Sequence, residues 1–263
     1  MPTTYFHLLT ITVFLVCFFP VARAQQPAQP KLRQPPSTPL PQPPSHPGIQ
    51  SPLPPATPSH MPELRFLVAL DPAHGGADSG ALLASGTPEK TYTLSLAVRL
   101  HVLLNAHGIH STLTRDSDTA IVSSARAVTA NRAHAAACVL LHATSTGNGV
   151  HLFTSSLAIS GQQYPQNRRR AFLPWQTAQA SYGSESLRLE SDINASLAHQ
   201  HVPALLGKTS LAPLDSLACP AVAVEIAPLD ANTPLANAAY QQKIAQALTE
   251  ALVTWRGDWR LQP

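Results

Sequence analysis

Three short apolar runs, each leading directly or through one tight turn to a residue that can bind a metal or move a proton, constrain this chain more than any other feature. Phe66-Leu67-Val68-Ala69-Leu70-Asp71 leads into Pro72-Ala73-His74-Gly75-Gly76, Cys138-Val139-Leu140-Leu141 into His142, and Ala221-Val222-Ala223-Val224 into Glu225. Runs this apolar and this short read as buried strands. In an open α/β sheet, ligands collect beyond the carboxyl ends of the strands. Three strands delivering His, His and Glu to one edge would meet the needs of a metal hydrolase.

Between the runs the pattern alternates. Lys90 to Ala106 predicts a helix, with Leu96, Leu100, Leu103 and Leu104 on one stripe and Gly108 ending it. Ile109 to Thr114 predicts a strand, Ser123 to His134 a helix, Cys138 to His142 and Gly149 to Thr154 strands, and Ser184 to Ala198 a helix. Ala221 to Ile226 is the last strand, and Asn237 to Trp255 a closing helix with Ile244, Leu248, Leu252 and Trp255 on its buried side. The alternation argues for one α/β domain over residues 63–263, a mostly parallel twisted sheet with helices on both faces.

The rest of the chain is of another kind. Leu8 to Phe19 is apolar except for Thr10 and Thr12, and Ala22-Arg23-Ala24 is a small-x-small cleavage pattern, so residues 1–24 read as a secretory signal. Its n-region carries His7 but no Lys or Arg, and an uncleaved tether is the alternative. The apolar run is shorter than the ~20 residues of a membrane span, so no stable span is expected after cleavage. Residues 25–62 hold 14 of the 26 prolines, with no acidic residue and no Phe, Tyr or Trp, the composition of an extended linker. The expected location is periplasmic or extracellular. Cys138 and Cys219 remain after signal removal, and a disulfide and two separately buried thiols are equal readings. Charged residues make up only 12% of the chain, net charge is +3, and no Lys/Arg stripe marks a nucleic-acid surface.

The motifs then carry a resemblance. Leu70-Asp71-Pro72-Ala73-His74-Gly75-Gly76-Ala77-Asp78-Ser79-Gly80, Glu89-Lys90, Leu113-Thr114-Arg115-Asp116-Ser117-Asp118, Arg126 with Ala130-Asn131, Leu141-His142-Ala143 and Pro220-Ala221-Val222-Ala223-Val224-Glu225 follow in order. Together they resemble the zinc-dependent N-acetylmuramoyl-L-alanine amidases of the Amidase_3 type, from about Phe66 to about Trp255. The resemblance implies an amidase/zinc-carboxypeptidase-like architecture and one Zn²⁺ per chain on His74, Glu89 and His142. It implies Glu225 as the catalytic glutamate, peptidoglycan as substrate, and room for a protein activator. Taken alone, Glu89 would read as an acidic partner of a helix dipole. The chemistry agrees with the resemblance: catalytic zinc keeps three protein ligands and one open position, and a nearby carboxylate can accept the water's proton.

Two other functions stay open at this point. One is a non-catalytic domain of the same fold that binds peptidoglycan or a partner. The other is a zinc amidase or peptidase with another amide substrate. Three departures from the family's pattern bear on them. Ala73 stands where glycine is usual and implies a reshaped turn; Thr144 stands where asparagine is usual; and Ile226-Ala227-Pro228 follows Glu225 in place of Gly-Phe-hydrophobic. Gly161 to Ala180, with Arg168-Arg169-Arg170, Phe172 and Trp175, reads as an insertion whose ends emerge near the cleft, as a substrate platform, a cover or a solvated loop. The remaining histidines read as surface or packing residues, with His151 a cleft-lining alternative.

Overall fold

The strand Ala137–Ala143 alternates its side chains between two cores, and this alternation sets the layers of the molecule. Val139 and Leu141 enter one core and Cys138 and Leu140 the other. The computed structural model describes residues 66–84, 86–159 and 174–259. The signal and linker expected over residues 1–62 lie outside them, as do residues 161–173 of the expected insertion.

The elements run β1 (Leu67–Pro72), α1 (Glu89–Ala106), β2 (His110–Leu113), α2 (Ser123–Arg132), β3 (Ala137–Ala143), β4 (Val150–Ser155), α3 (Gly183–His199), β5 (Ala204–Thr209), α4 (Ala212–Asp215), β6 (Ala221–Ile226) and α5 (Ala238–Trp259). The six strands form one sheet in the order β2-β1-β3-β6-β4-β5. On one face α1, α3 and α5 cover a large core, where Leu96, Leu100 and Leu104 meet Ile193, Leu197, Ile244, Leu248 and Leu252 over Val139, Leu141, Val222 and Val224. On the other face the side chains are small. Ala69, Ala221 and Ala223 let the short helices α2 and α4 approach with Ala127, Ala130 and Leu214. Cys138 and Cys219 lie in this second core and form a disulfide across 81 residues, with their Cα atoms 6.3 Å apart.

The α/β expectation holds, and so does the placing of helices on both faces. The sheet itself is mixed. β2, β1, β3 and β6 are parallel, whereas β4 pairs with β6 antiparallel and with β5 parallel. The cause is the short link between β3 and β4, residues 144–149. A parallel partner needs a crossover of about a dozen residues or more, and this link leaves no room for one. β5 was not foreseen from the sequence. It is an edge strand whose Leu205 and Leu206 are exposed, so it lacks the apolar signature of a buried one.

The reversal of β4 moves the insertion. β4 starts at the edge where β3 and β6 end and finishes at the opposite edge. There the Ser155 hydroxyl donates to the Asp215 carboxylate. The described end of the insertion, within the 3₁₀ turn Trp175–Ser181, is tied to the entry of β6. Buried Gln179 donates from Nε2 to the carbonyls of Leu217 at 2.8 Å and Cys219 at 2.6 Å. The flanks of the segment therefore emerge away from the cleft, not beside it.

Candidate metal centre

His74 sits in a turn that its own side chain would not choose. Its φ of 63° is left-handed, a conformation that costs a non-glycine residue energy unless surroundings hold it. Two buried arginines hold it. Arg126 donates to the carbonyls of Pro72 at 2.8 Å and His74 at 2.6 Å, and its Nη1 lies 2.8 Å from Asp71 Oδ1. Arg115 donates to the carbonyls of Pro72 and Ala73, each at 2.9 Å, and to that of Lys90 at 2.8 Å. Lys90 Nζ reaches the Gly76 carbonyl and Asp118, each at 2.7 Å, while Asp118 accepts the Gly76 N–H. The motif residues Arg115, Asp118, Arg126 and Lys90 thus form a frame around one turn. Ala73 is buried and lies outside the left-handed region, which begins at His74, so its Cβ meets no left-handed strain.

Glu89, the first residue of α1, is 4% exposed and faces both histidines. Its Oε2 lies 3.1 Å from His74 Nε2 and its Oε1 3.1 Å from His142 Nδ1. The backbone N–H groups of Ala81 and Ala143 donate to the same two oxygens at 2.9 and 3.1 Å. Burial pushes the Glu89 carboxyl up, but the hydrogen bonds from His142, Ala81 and Ala143 outweigh it and hold the group below its ordinary value. Asp78 lies 2.8 Å from His74 Nδ1, and this hydrogen bond and that from Gly80 hold Asp78 below the usual carboxylate range. A metal ion on Nε2 would leave the His74 proton on Nδ1, donated to Asp78, with the Nε2 lone pair on the side of Glu89.

One nitrogen each from His74 and His142 and one oxygen from Glu89 lie within 4.8 Å of one another. Two imidazoles and a carboxylate suit Zn²⁺ better than Mg²⁺ or Ca²⁺, which prefer all-oxygen shells. Gly80 keeps the space beside them open. At its φ of +65° a Cβ would come within 2.5 Å of His74 Cδ2 and 2.7 Å of Glu89 Oε2. The donor set and its cradle therefore fit a zinc ion.

Glu225 arrives on the neighbouring strand, with His142 and Glu225 as direct register partners across β3 and β6. On the other side of Glu225 stands His151, its partner across β6 and β4. His151 Nδ1 lies 3.0 Å from Glu225 Oε2. His142, Glu225 and His151 thus form one row across three strands. His151 was expected only as an alternative cleft-lining residue; its pairing with Glu225 was not foreseen, because only the direction of β4 brings the start of that strand to this edge. Thr144 takes no part in the cluster; its N–H donates to the Ile226 carbonyl and its hydroxyl pairs with Thr146.

A family model described as N-acetylmuramoyl-L-alanine amidase, Amidase_3, matches residues 68–254. The N-acetylmuramoyl-L-alanine amidase AmiA of Salmonella typhimurium is 36% identical over 96 residues, which span 36% of this chain and only 33% of AmiA. An N-acetylmuramoyl-L-alanine amidase of Mycobacterium tuberculosis is 28% identical over 215 residues, covering 71% of this chain and 84% of its own. The solved structure of the amidase Ami1 from Mycobacterium smegmatis shares the fold at a TM-score of 0.58 and 23% identity, covering 73% of this chain and 97% of that one. Because the matched span, 68–254, takes in nearly all of the sheet and its cores together with His74, Glu89, His142 and Glu225, this chain belongs to the Amidase_3 family of N-acetylmuramoyl-L-alanine amidases.

Proposed function

We propose that this chain is an exported, zinc-dependent amidase that cleaves the amide between N-acetylmuramic acid and the L-alanine opening the peptidoglycan stem peptide. The observation that carries the reading is the meeting of His74, Glu89 and His142 beside Glu225 at one sheet edge, in a member of this family. His74, Glu89 and His142 would hold one ion. A bound Zn²⁺ supplies Lewis-acid polarisation of the scissile carbonyl and makes a water acidic near neutral pH. Glu225 takes the proton from the attacking water and passes it to the departing amine of L-alanine. Asp78 keeps the His74 lone pair on the metal side, and the frame of Arg115, Arg126 and Lys90 keeps the turn in place.

Export is part of the same proposal and rests on residues 1–24 as a signal, with residues 25–62 as a linker and 63–263 as the catalytic part. Among the described residues no helix is long and apolar enough to cross a membrane. A protein activator is proposed as well, to be sought as a factor that raises the rate on intact wall.

Digestion of purified peptidoglycan by the zinc-loaded chain tests the reading. Mass analysis is expected to find free stem peptides beginning with L-alanine while the glycan strands stay whole. Chain that sediments with the wall and carries zinc but releases no peptide would make it a binding module instead.

A further inference from the structure

We infer that His151 is a positioning residue that holds Glu225 in its working orientation, an inference that rests on the amidase reading above. Glu225 stands at the end of β6 with its side chain 35% exposed, so packing alone leaves its carboxylate free to turn. His151 Nδ1 lies 3.0 Å from Oε2. A carboxylate cannot donate, so the proton between them sits on Nδ1 and the imidazole donates. One oxygen is thereby committed to His151 and the other is left for proton transfer.

The ring is held from three sides. Phe153, two residues along on the same face of β4, meets it edge-on at 6.4 Å between centroids. Glu225 meets it across the strand pair. The loop from β3 to β4 closes on it at Gly147, where an added Cβ would come within 2.8 Å of His151 Cε1 and 3.1 Å of Nε2, at a φ of +94°. Alanine there would both strain the backbone and drive the ring off Glu225. The arrangement parallels that of Asp78 on His74: in each case a neighbour fixes the orientation of a group that does the chemistry.

The test uses the full zinc-loaded chain on a soluble N-acetylmuramoyl peptide. His151→Ala is expected to lower kcat on the order of 10- to 100-fold, the scale for a partner that orients a reacting group. KM and zinc content are expected to stay at wild-type values. His151→Asn, whose amide can donate from near the Nδ1 position, is expected to recover most of the loss, and Gly147→Ala to show part of it. Wild-type kcat in His151→Ala, or an Asn variant no better than Ala, overturns the inference. Nitrogen-15 spectra of the imidazoles give a readout independent of turnover. His151 is expected to be protonated at Nδ1, and to change tautomer in Glu225→Ala. A His151 spectrum that is the same in both chains overturns the inference. If wild type releases no peptide, the amidase reading fails, and the spectra still decide whether His151 holds Glu225.

Discussion

Arg126 and Asp71 meet at 2.8 Å beneath the His74 turn, both nearly buried, and the same guanidinium also donates to two carbonyls of that turn. Removing one member of such a pair leaves an uncompensated buried charge. Arg126→Ala is expected to cost roughly 3–5 kcal/mol of unfolding free energy and to weaken zinc binding, since His74 loses its frame. Arg126→Lys is expected to rescue little, because one ammonium cannot reproduce a planar fork serving several acceptors. Urea unfolding and chelator competition measure the two effects; an Arg126→Ala chain with unchanged midpoint and zinc affinity would contradict both.

The cluster of His74, Glu89 and His142 is expected to hold about one zinc per chain, as a three-ligand site implies. Metal analysis of His74→Ala and His142→Ala should find most of it lost. Asp78→Asn should keep the ion but weaken it roughly 10- to 100-fold, because the His74 tautomer is no longer imposed. Full occupancy in both histidine variants would remove the metal assignment.

Glu225→Gln should retain zinc and lose turnover by roughly 10² or more, the usual scale for a general acid–base group. Near-normal release of stem peptide by this variant would place the proton acceptor elsewhere.

Glu190 on α3 carries the clearest pH signature outside the site. Its Oε1 is buried with no hydrogen-bond partner among the described residues, and burial raises its carboxyl from 4.5 to about 7, eased a little by the charge of Lys208. A folded value above the unfolded one means the group costs nothing below about pH 4.5 and destabilises increasingly as pH rises through about 7. The full loss is at most roughly 3.5 kcal/mol, at about 1.4 kcal/mol per unit. Glu190→Gln should therefore be more stable than wild type at pH 8.5, and its advantage should shrink towards pH 4.5. Parallel stability curves for the two chains across that range would rule this out.

The Cys138–Cys219 disulfide closes a loop of 81 residues across the second core. Reduction, or replacement of both cysteines by alanine, should lower stability by roughly 4 kcal/mol. Because the bridge lies at the entry of β3 and β6, zinc occupancy at their exits should survive wherever the domain stays folded. Denaturation with and without reductant checks the first claim and metal analysis the second.

Much of this was legible in the residues. His74, His142 and Glu225 each follow an apolar run, so their shared edge could be read before any coordinates. Glu89 could not be separated from an ordinary first-turn acid without the motifs around it. His151 was legible only as an alternative cleft-lining residue, and its pairing with Glu225 was not. A histidine at a strand start reaches this edge only if the strand runs backwards, and direction is a property of tertiary pairing. The length of the 144–149 link was the one available clue, since it excluded a parallel crossover. The cysteine pair illustrates the same limit. Spacing along the chain left bridge and thiols equal, and the register Cys138↔Ala221 is what brings Cys219 within reach.

The backward course of β4 divides the labour of the domain. His151 joins the chemistry at the start of the strand. Four residues on, at about 3.3 Å per residue, Ser155 leaves on the far side, roughly 13 Å away. Whatever length the chain carries between Ser155 and α3 is anchored there, at Asp215 and at the Leu217 and Cys219 carbonyls. Insertions can lengthen or shorten at that anchorage without shifting the register that aligns His142, Glu225 and His151. The fold can thus vary at one end while its reacting groups keep their spacing at the other.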